Sequence, residues 1–264
     1  MLKTNCGRFF EDYRIGQVLD HAVPRTVSGG ERALYHALYP ARHALYSSDE
    51  FARACGLPSA PLDDLAAFHL VFGKTVPDVS LNAAANLGYA AGRWQAPVYV
   101  GDTLRSQSEI IGLKQNSSGK TGVVYVHTKG MNQHNQTVLD YVRWVIVRKR
   151  NLEAAAPQTV IPTLDTALLS KQLSVPLGLD FSRYDFAQAG EPHRWGDYQI
   201  GERIDHIDDV TMEDAEHMMA TRLWQNIAKV HIDATARPDG KRLIYGGHVI
   251  SMARGLSFNG LANA

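Results

Sequence analysis

Cysteine is nearly absent: Cys6 and Cys55 are the only two in 264 residues. They match no metal-site or redox spacing, so the thiols organise neither a disulfide framework nor a metal centre. Two free thiols point to a reducing compartment, and the cytoplasm is the expected location. A charge of one sign is also missing. The 27 Lys+Arg balance 27 Asp+Glu, which removes the basic field that nucleic acid or an anionic membrane surface would need. No apolar run approaches the roughly 18 residues of a membrane span, and the opening MLKTNCGRFF has no apolar core of signal length. P-loop and Gly-x-Gly-x-x-Gly patterns are absent as well, which argues against a nucleotide fold. What is left is a globular composition, 45% hydrophobic and 20% charged, enough for one large or two ordinary domains.

The chain contains itself twice. EDYRIGQVLDH at Glu11–His21 returns as GDYQIGERIDH at Gly196–His206, and the 185-residue offset continues without a gap. Thr26 falls on Thr211, Glu31 on Glu216, Leu38 on Leu223 and Tyr39 on Trp224. Each copy opens with a strand pattern, VLDHAVPRTV or RIDHIDDVT, followed by an amphipathic helix capped by Ser28 or Thr211. In the first copy SSDEFARACG reads as a short helix with Ser47 or Ser48 at its N-cap and Gly56 closing it. Asp63–Val76 is apolar nearly all round and reads as a buried helix, with His69 inside it as a hydrogen-bonded core residue. The period then changes to alternation. Leu87–Gln95, Thr103–Leu113, Thr121–Lys129 and Thr137–Lys149 read as four strands, with turns at 116–119 and 132–135.

A helix buried on every side needs a sheet curled around it, and five antiparallel strands supply one. The expected fold class is therefore α+β, in the hotdog arrangement. The expected layout is a first hotdog over 1–150, a Pro-rich connector over 151–191 and the start of a second hotdog over 192–264. Gly73, near the end of the buried helix of the first copy, is followed by 77 residues of strand and turn up to Arg150, whereas Gly255, near the end of the apolar helix of the second, is followed by nine. The second copy is thus expected to be incomplete after its central helix, with Val249, Ile250, Met252, Leu256 and Phe258 lacking a covering sheet and activity weak or absent.

Chemistry concentrates at Leu223–Ala253, LWQNIAKVHIDATARPDGKRLIYGGHVISMA. His231 and Asp233 stand two apart, which places both on one face of an extended segment, with Asn226 just upstream. Tyr245-Gly246-Gly247-His248 then opens an apolar helix, where backbone N–H groups approach a ligand closely and the helix end favours negative charge. An acid–base His beside an oxyanion-type donor is a candidate site. In the first copy the same offset puts Tyr46 at His231, Ser48 at Asp233 and Ala41 at Asn226. That copy keeps the frame and has lost the candidate groups.

At PVYVGDTL (Pro97–Leu104), the buried helix, and the Leu-Trp-x-Asn…His-x-Asp plus Gly-Gly-His pair, the chain resembles the MaoC-like dehydratases. These are double-hotdog proteins that hydrate enoyl-CoA thioesters. The run SGGERALYHALYPARHALYSSDEFARACG is similar to the mesaconyl-CoA hydratases, or β-methylmalyl-CoA dehydratases, within that family. The resemblance implies reversible hydration of mesaconyl-CoA by a homo-oligomer, with CoA as part of the substrate and no metal or redox cofactor. Of the family's Asp-x-Asn-Pro-Leu-His motif the His is His231, but Asn226 stands at the Asp, Ala228 at the Asn and Lys229 at the Pro. Half of the usual dyad is replaced. The oxyanion donors implied are backbone groups at Gly247, His248 and Val249, and the expected holders of the substrate's second carboxylate are Lys229, Arg222 and Arg254. Two other readings compete on the same scaffold: an acyl-CoA thioesterase, and a non-catalytic acyl-CoA-binding subunit.

Overall fold

A computed structural model describes residues 3–263. The first copy runs β1 (Val18–Thr26), α1 (Gly29–Leu38), α2 (Ala44–Ser47), α3 (Asp49–Ala54), α4 (Asp64–Thr75), β2 (Ala83–Trp94), β3 (Thr103–Gln115), β4 (Thr121–Met131) and β5 (Thr137–Arg148). All five strands pair antiparallel in the order β1-β3-β4-β5-β2. The sheet wraps α4, whose residues from Ala66 to Thr75 are all buried. Val71 meets Gly130 of β4 so closely that a Cβ there would lie 2.4 Å from its methyl. This is the expected hotdog.

Local chemistry explains the helix starts. Ser28 caps α1 and forms a reciprocal box with Glu31, Ser48 accepts from Phe51 N–H at the start of α3, and Asp63 accepts from Leu65 N–H at the start of α4. Each satisfies donors that the helix itself cannot. Gly56, at φ +84°, ends α3 as expected. The β2 strand begins four residues earlier than its alternation suggests. Ala83–Asn86 carries little strand preference of its own and is ordered by pairing with Val145–Val147 of β5.

Beyond β5 the connector adds only short turns of helix, including α5 (Phe186–Ala189), and lies across the first copy. Val160 bridges Leu113, and Asp180 N–H donates to Cys55 O at 2.9 Å. The second copy then supplies α6 (Asp214–Leu223), α7 (Lys229–Ile232) and α8 (Gly246–Leu256). At the 185-residue offset α6 reproduces the limits of α1 and α7 those of α2. Two expectations fail here. Thr211 is not the cap of α6; Glu213 takes that position, without a side-chain bond. The RIDHIDDVT stretch forms no strand. In the first copy β1 is held by β3, and among the described residues the second copy offers no such partner for its backbone groups.

The two copies meet about a pseudo-twofold. A Cβ on Gly73 of α4 would lie 1.7 Å from Trp224 O, at the end of α6, and one on Gly255 of α8 would lie 2.0 Å from Tyr39 O, at the end of α1. Tyr39 and Trp224 are the repeat pair found in the sequence, and Trp224 Nε1 donates to Tyr39 Oη at 3.3 Å. His69 in α4 bonds Ser251 Oγ at 2.7 Å and Tyr245 Oη at 3.2 Å, which makes it the hydrogen-bonded core residue expected. Met252, expected to lie uncovered, is 4% exposed because α8 packs on the first copy's core. Leu256 and Phe258 are half-buried, while Val249 and Ile250 remain exposed at 49% and 44%.

Candidate active site

Asn226 and His231 are placed by the turn that ends α6. Gln225, at φ +57°, breaks the helix after the buried Trp224, and Asn226 N–H closes it on Thr221 O at 3.0 Å. Asn226 is buried, and its Oδ1 accepts from Ala228 N–H at 3.1 Å. The single turn of α7 then presents His231, whose Nδ1 lies 2.9 Å from Leu243 O. A carbonyl only accepts, so Nδ1 carries the proton and Nε2 is left with its lone pair. Burial lowers the His231 pKa below its ordinary value, partly offset by the bond to Leu243. The ring is therefore neutral near pH 7, with Nε2 as the basic atom.

Opposite it, α8 begins without a side-chain cap on Tyr245. Tyr245 N–H donates to His217 Nε2 at 2.9 Å, and His217 stays an acceptor because burial, with the neighbouring His248, His231 and Arg242, lowers its pKa to about 4. His248 and Val249 N–H groups turn back to Tyr245 O at 2.9 and 3.4 Å. Among the described residues the N–H groups of Gly246 and Gly247 have no acceptor. They form the positive end of the helix. Gly247 is held to glycine by space, since a Cβ would lie 2.5 Å from the Tyr245 ring and 2.6 Å from His69.

His231, Asn226 and Gly246 border one cavity of about 340 Å³. Its far wall comes from the first copy: Phe72 of α4, Tyr89 of β2 and Arg143 of β5. No Asp or Glu lines it. A neutral imidazole with a free Nε2, an amide and unpaired helix N–H groups around an apolar space can orient water, take its proton and stabilise a developing oxyanion.

Several expected members lie elsewhere. Asp233 does not pair with His231, because α7 is helical rather than extended and the carboxylate instead accepts from Thr235 N–H and Oγ1 at 2.9 and 2.6 Å. Of the three backbone donors expected, those of His248 and Val249 are spent inside the helix and Gly246 takes their place beside Gly247. The His248 ring faces Tyr39, with Nδ1 at 3.2 Å from its hydroxyl. Arg222 is on the outer face of α6, whose buried side is His217, Ala220 and Thr221, and Lys229 opens α7 exposed. Arg254 is bound to Asp63 at 2.9 Å at the start of α4 and borders a different hollow, with His43 and Tyr46. Arg143 joins the cavity wall without being among the expected residues, although Tyr-Val-Arg-Trp-Val in an alternating strand puts it on the face of Tyr141 and Val145, where a charge is out of place.

The family profile described as Mesaconyl-CoA hydratase matches residues 3–258. The chain belongs to the mesaconyl-CoA hydratase family. It is 70% identical to the mesaconyl-CoA hydratase of Cereibacter sphaeroides over 263 residues, covering 100% of this chain and 77% of that one. It is 57% identical to the β-methylmalyl-CoA dehydratase of Chloroflexus aurantiacus, over 99% of this chain and 75% of that protein. The crystal structure of a putative MaoC domain dehydratase from Chloroflexus aurantiacus superposes with a TM-score of 0.97 at 56% identity, covering 100% of this chain and 76% of the other. A double-hotdog protein from Mycobacterium tuberculosis shares the fold, with a TM-score of 0.70 at 24% identity over 97% of this chain and 78% of that one. Among the described residues no helix is long and apolar enough to cross a membrane.

Proposed function

We propose that this chain adds water reversibly across the double bond of mesaconyl-CoA to give β-methylmalyl-CoA. The observation that carries the reading is that His231, Asn226 and Gly246, at the open N-terminal end of α8, border one cavity. The thioester carbonyl sits at Gly246 and Gly247, which hold the negative charge that develops on its oxygen. Loss of one such donor typically raises the barrier by about 2.7–4 kcal/mol. Asn226, with one Oδ1 lone pair used by Ala228, orients the water with its remaining amide valences. His231 Nε2 takes one water proton as the C–O bond forms at the β-carbon, and the imidazolium returns that proton to the α-carbon. A neutral amide at position 226 suits a substrate with a second carboxylate, because an aspartate there would set two like charges close together.

The chemistry calls for no metal or redox cofactor, and CoA enters as part of the substrate. The same reading takes the chain as a cytoplasmic homo-oligomer, supported by its two free thiols and by the exposed Val249, Ile250 and Ile244 beside the cavity. Turnover on a panel of enoyl-CoA esters tests the reaction. Loss of the conjugated enoyl absorbance on mesaconyl-CoA without free thiol is expected, and release of thiol at the same rate would show a thioesterase instead.

A further inference from the structure

Arg143 sits at 0% exposure inside the sheet. Its Nη2 donates to Thr75 Oγ1 at 2.8 Å and reaches Ser80 Oγ at 3.5 Å, and the guanidinium carbon stands 4.5 Å from the Phe72 ring centre. Nε and Nη1 have no partner. No carboxylate pairs with it among the described residues. Asp78 is taken up by Arg8 and His21, both at 2.9 Å. An arginine does not shed its charge on burial, and an unpaired buried charge persists only where something supplies its counter-charge. Arg143 lines the cavity that holds His231 and Asn226, and it is the one permanent cation among those lining residues. Ser80 and Asn86 stand in the same wall as further hydrogen-bonding groups.

We propose that Arg143 receives the free carboxylate of a dicarboxylic acyl thioester and so selects mesaconyl-CoA over neutral enoyl-CoA esters. The proposal rests on the cavity being the acyl site of the reading above. A CoA phosphate is a poorer fit, since the cavity is mainly apolar and offers a single fixed cation rather than several. The anion would complete the guanidinium's unpaired donors, and the acyl chain between it and the thioester would lie past His231 along the apolar wall.

Binding of two unreactive saturated esters by calorimetry tests this without turnover. The parent chain should bind methylsuccinyl-CoA about 100-fold more tightly than butyryl-CoA, or about 2.8 kcal/mol at 1.4 kcal/mol per tenfold. Arg143→Met should erase that preference while leaving butyryl-CoA within about three-fold, and Arg143→Lys, which keeps a point charge without the planar fork, should retain part of it. Equal losses on both esters would mean a structural role or a phosphate contact and would overturn the proposal. So would a parent with no preference, a result that needs no variant to fold. Hydration of mesaconyl-CoA is read separately. Preference without hydration would sink the hydratase reading alone, and hydration without preference would sink this proposal alone.

Discussion

Gly73→Ala and Gly255→Ala probe the contact that joins the two copies. A carbon meets a carbonyl oxygen at about 3.3 Å or more, yet the added Cβ atoms would stand 1.7 Å from Trp224 O and 2.0 Å from Tyr39 O. Each helix must retreat by more than an ångström from a backbone that cannot rotate away. Overpacking of this kind typically costs about 1–3 kcal/mol, at the upper end where backbone has to yield, and alanine's better helix propensity returns only about 0.5–1 kcal/mol. A net loss of about 2 kcal/mol corresponds to a drop of roughly 4–8 °C in Tm for a chain of this size. Gly29→Ala is the control, because nothing lies within 4 Å of its Cβ position. Calorimetry and urea unfolding read the difference. A Gly255→Ala protein that melts within about 1 °C of the parent would refute the docking of α8 on the end of α1.

If the second copy alone is chemical, His231→Ala abolishes hydration while Tyr46→Phe leaves turnover within a few-fold in steady-state assays; equal losses would contradict the division. Asn226→Asp should hydrate mesaconyl-CoA more slowly than the parent, and a faster variant would sink the like-charge account of Asn226. His69, lowered to about pKa 3 chiefly by burial with His248 adding, binds its proton more readily unfolded than folded. Stability should therefore be fully present above about pH 6.5 and fall as pH drops toward 3, by roughly 2–3 kcal/mol between pH 6.5 and 4.5 from this group. Urea unfolding across that range should show a flatter slope in His69→Gln, and an unchanged slope would assign the loss elsewhere.

The periodicity of the first copy made its fold legible because each element there satisfies its own backbone: Ser28, Ser48 and Asp63 cap their helices and the hairpin turns fix the strand registers. In the second copy the same pattern misled at 203–211, where strand propensity without a neighbouring strand leaves a ladder unformed. Of the candidate site, one stretch is legible in the sequence. His231, Asn226 and the glycines sit in a short stretch whose order in sequence is nearly its order in space. Asp233 turns away because α7 is helical rather than extended, and Lys229, Arg222 and Arg254 are near His231 in sequence without lining its cavity. Arg143 comes from about 80 residues upstream, on a strand of the other copy, where only the pairing of β5 and the docking of α8 bring it to the cavity.

The matching helix starts of the two copies differ in what surrounds them. At the start of α4 the helix end is already filled: Asp63 accepts from Leu65 N–H, Arg254 from α8 pairs with Asp63, and Tyr46, in the place of His231, donates to Asp64 at 2.8 Å. Burial raises the Asp64 pKa, with the Tyr46 bond opposing it. Two carboxyls and a phenol thus crowd the start of α4, and the positive end of that helix is satisfied from within. At the matching end of α8 stand Gly246 and Gly247, which bring no side chain and leave their N–H groups unpaired. No Asp or Glu borders the cavity at this helix end, and Phe72, Tyr89 and Arg143 of the other copy wall it. A free-standing second copy would therefore lack both that wall and the Arg143 cation.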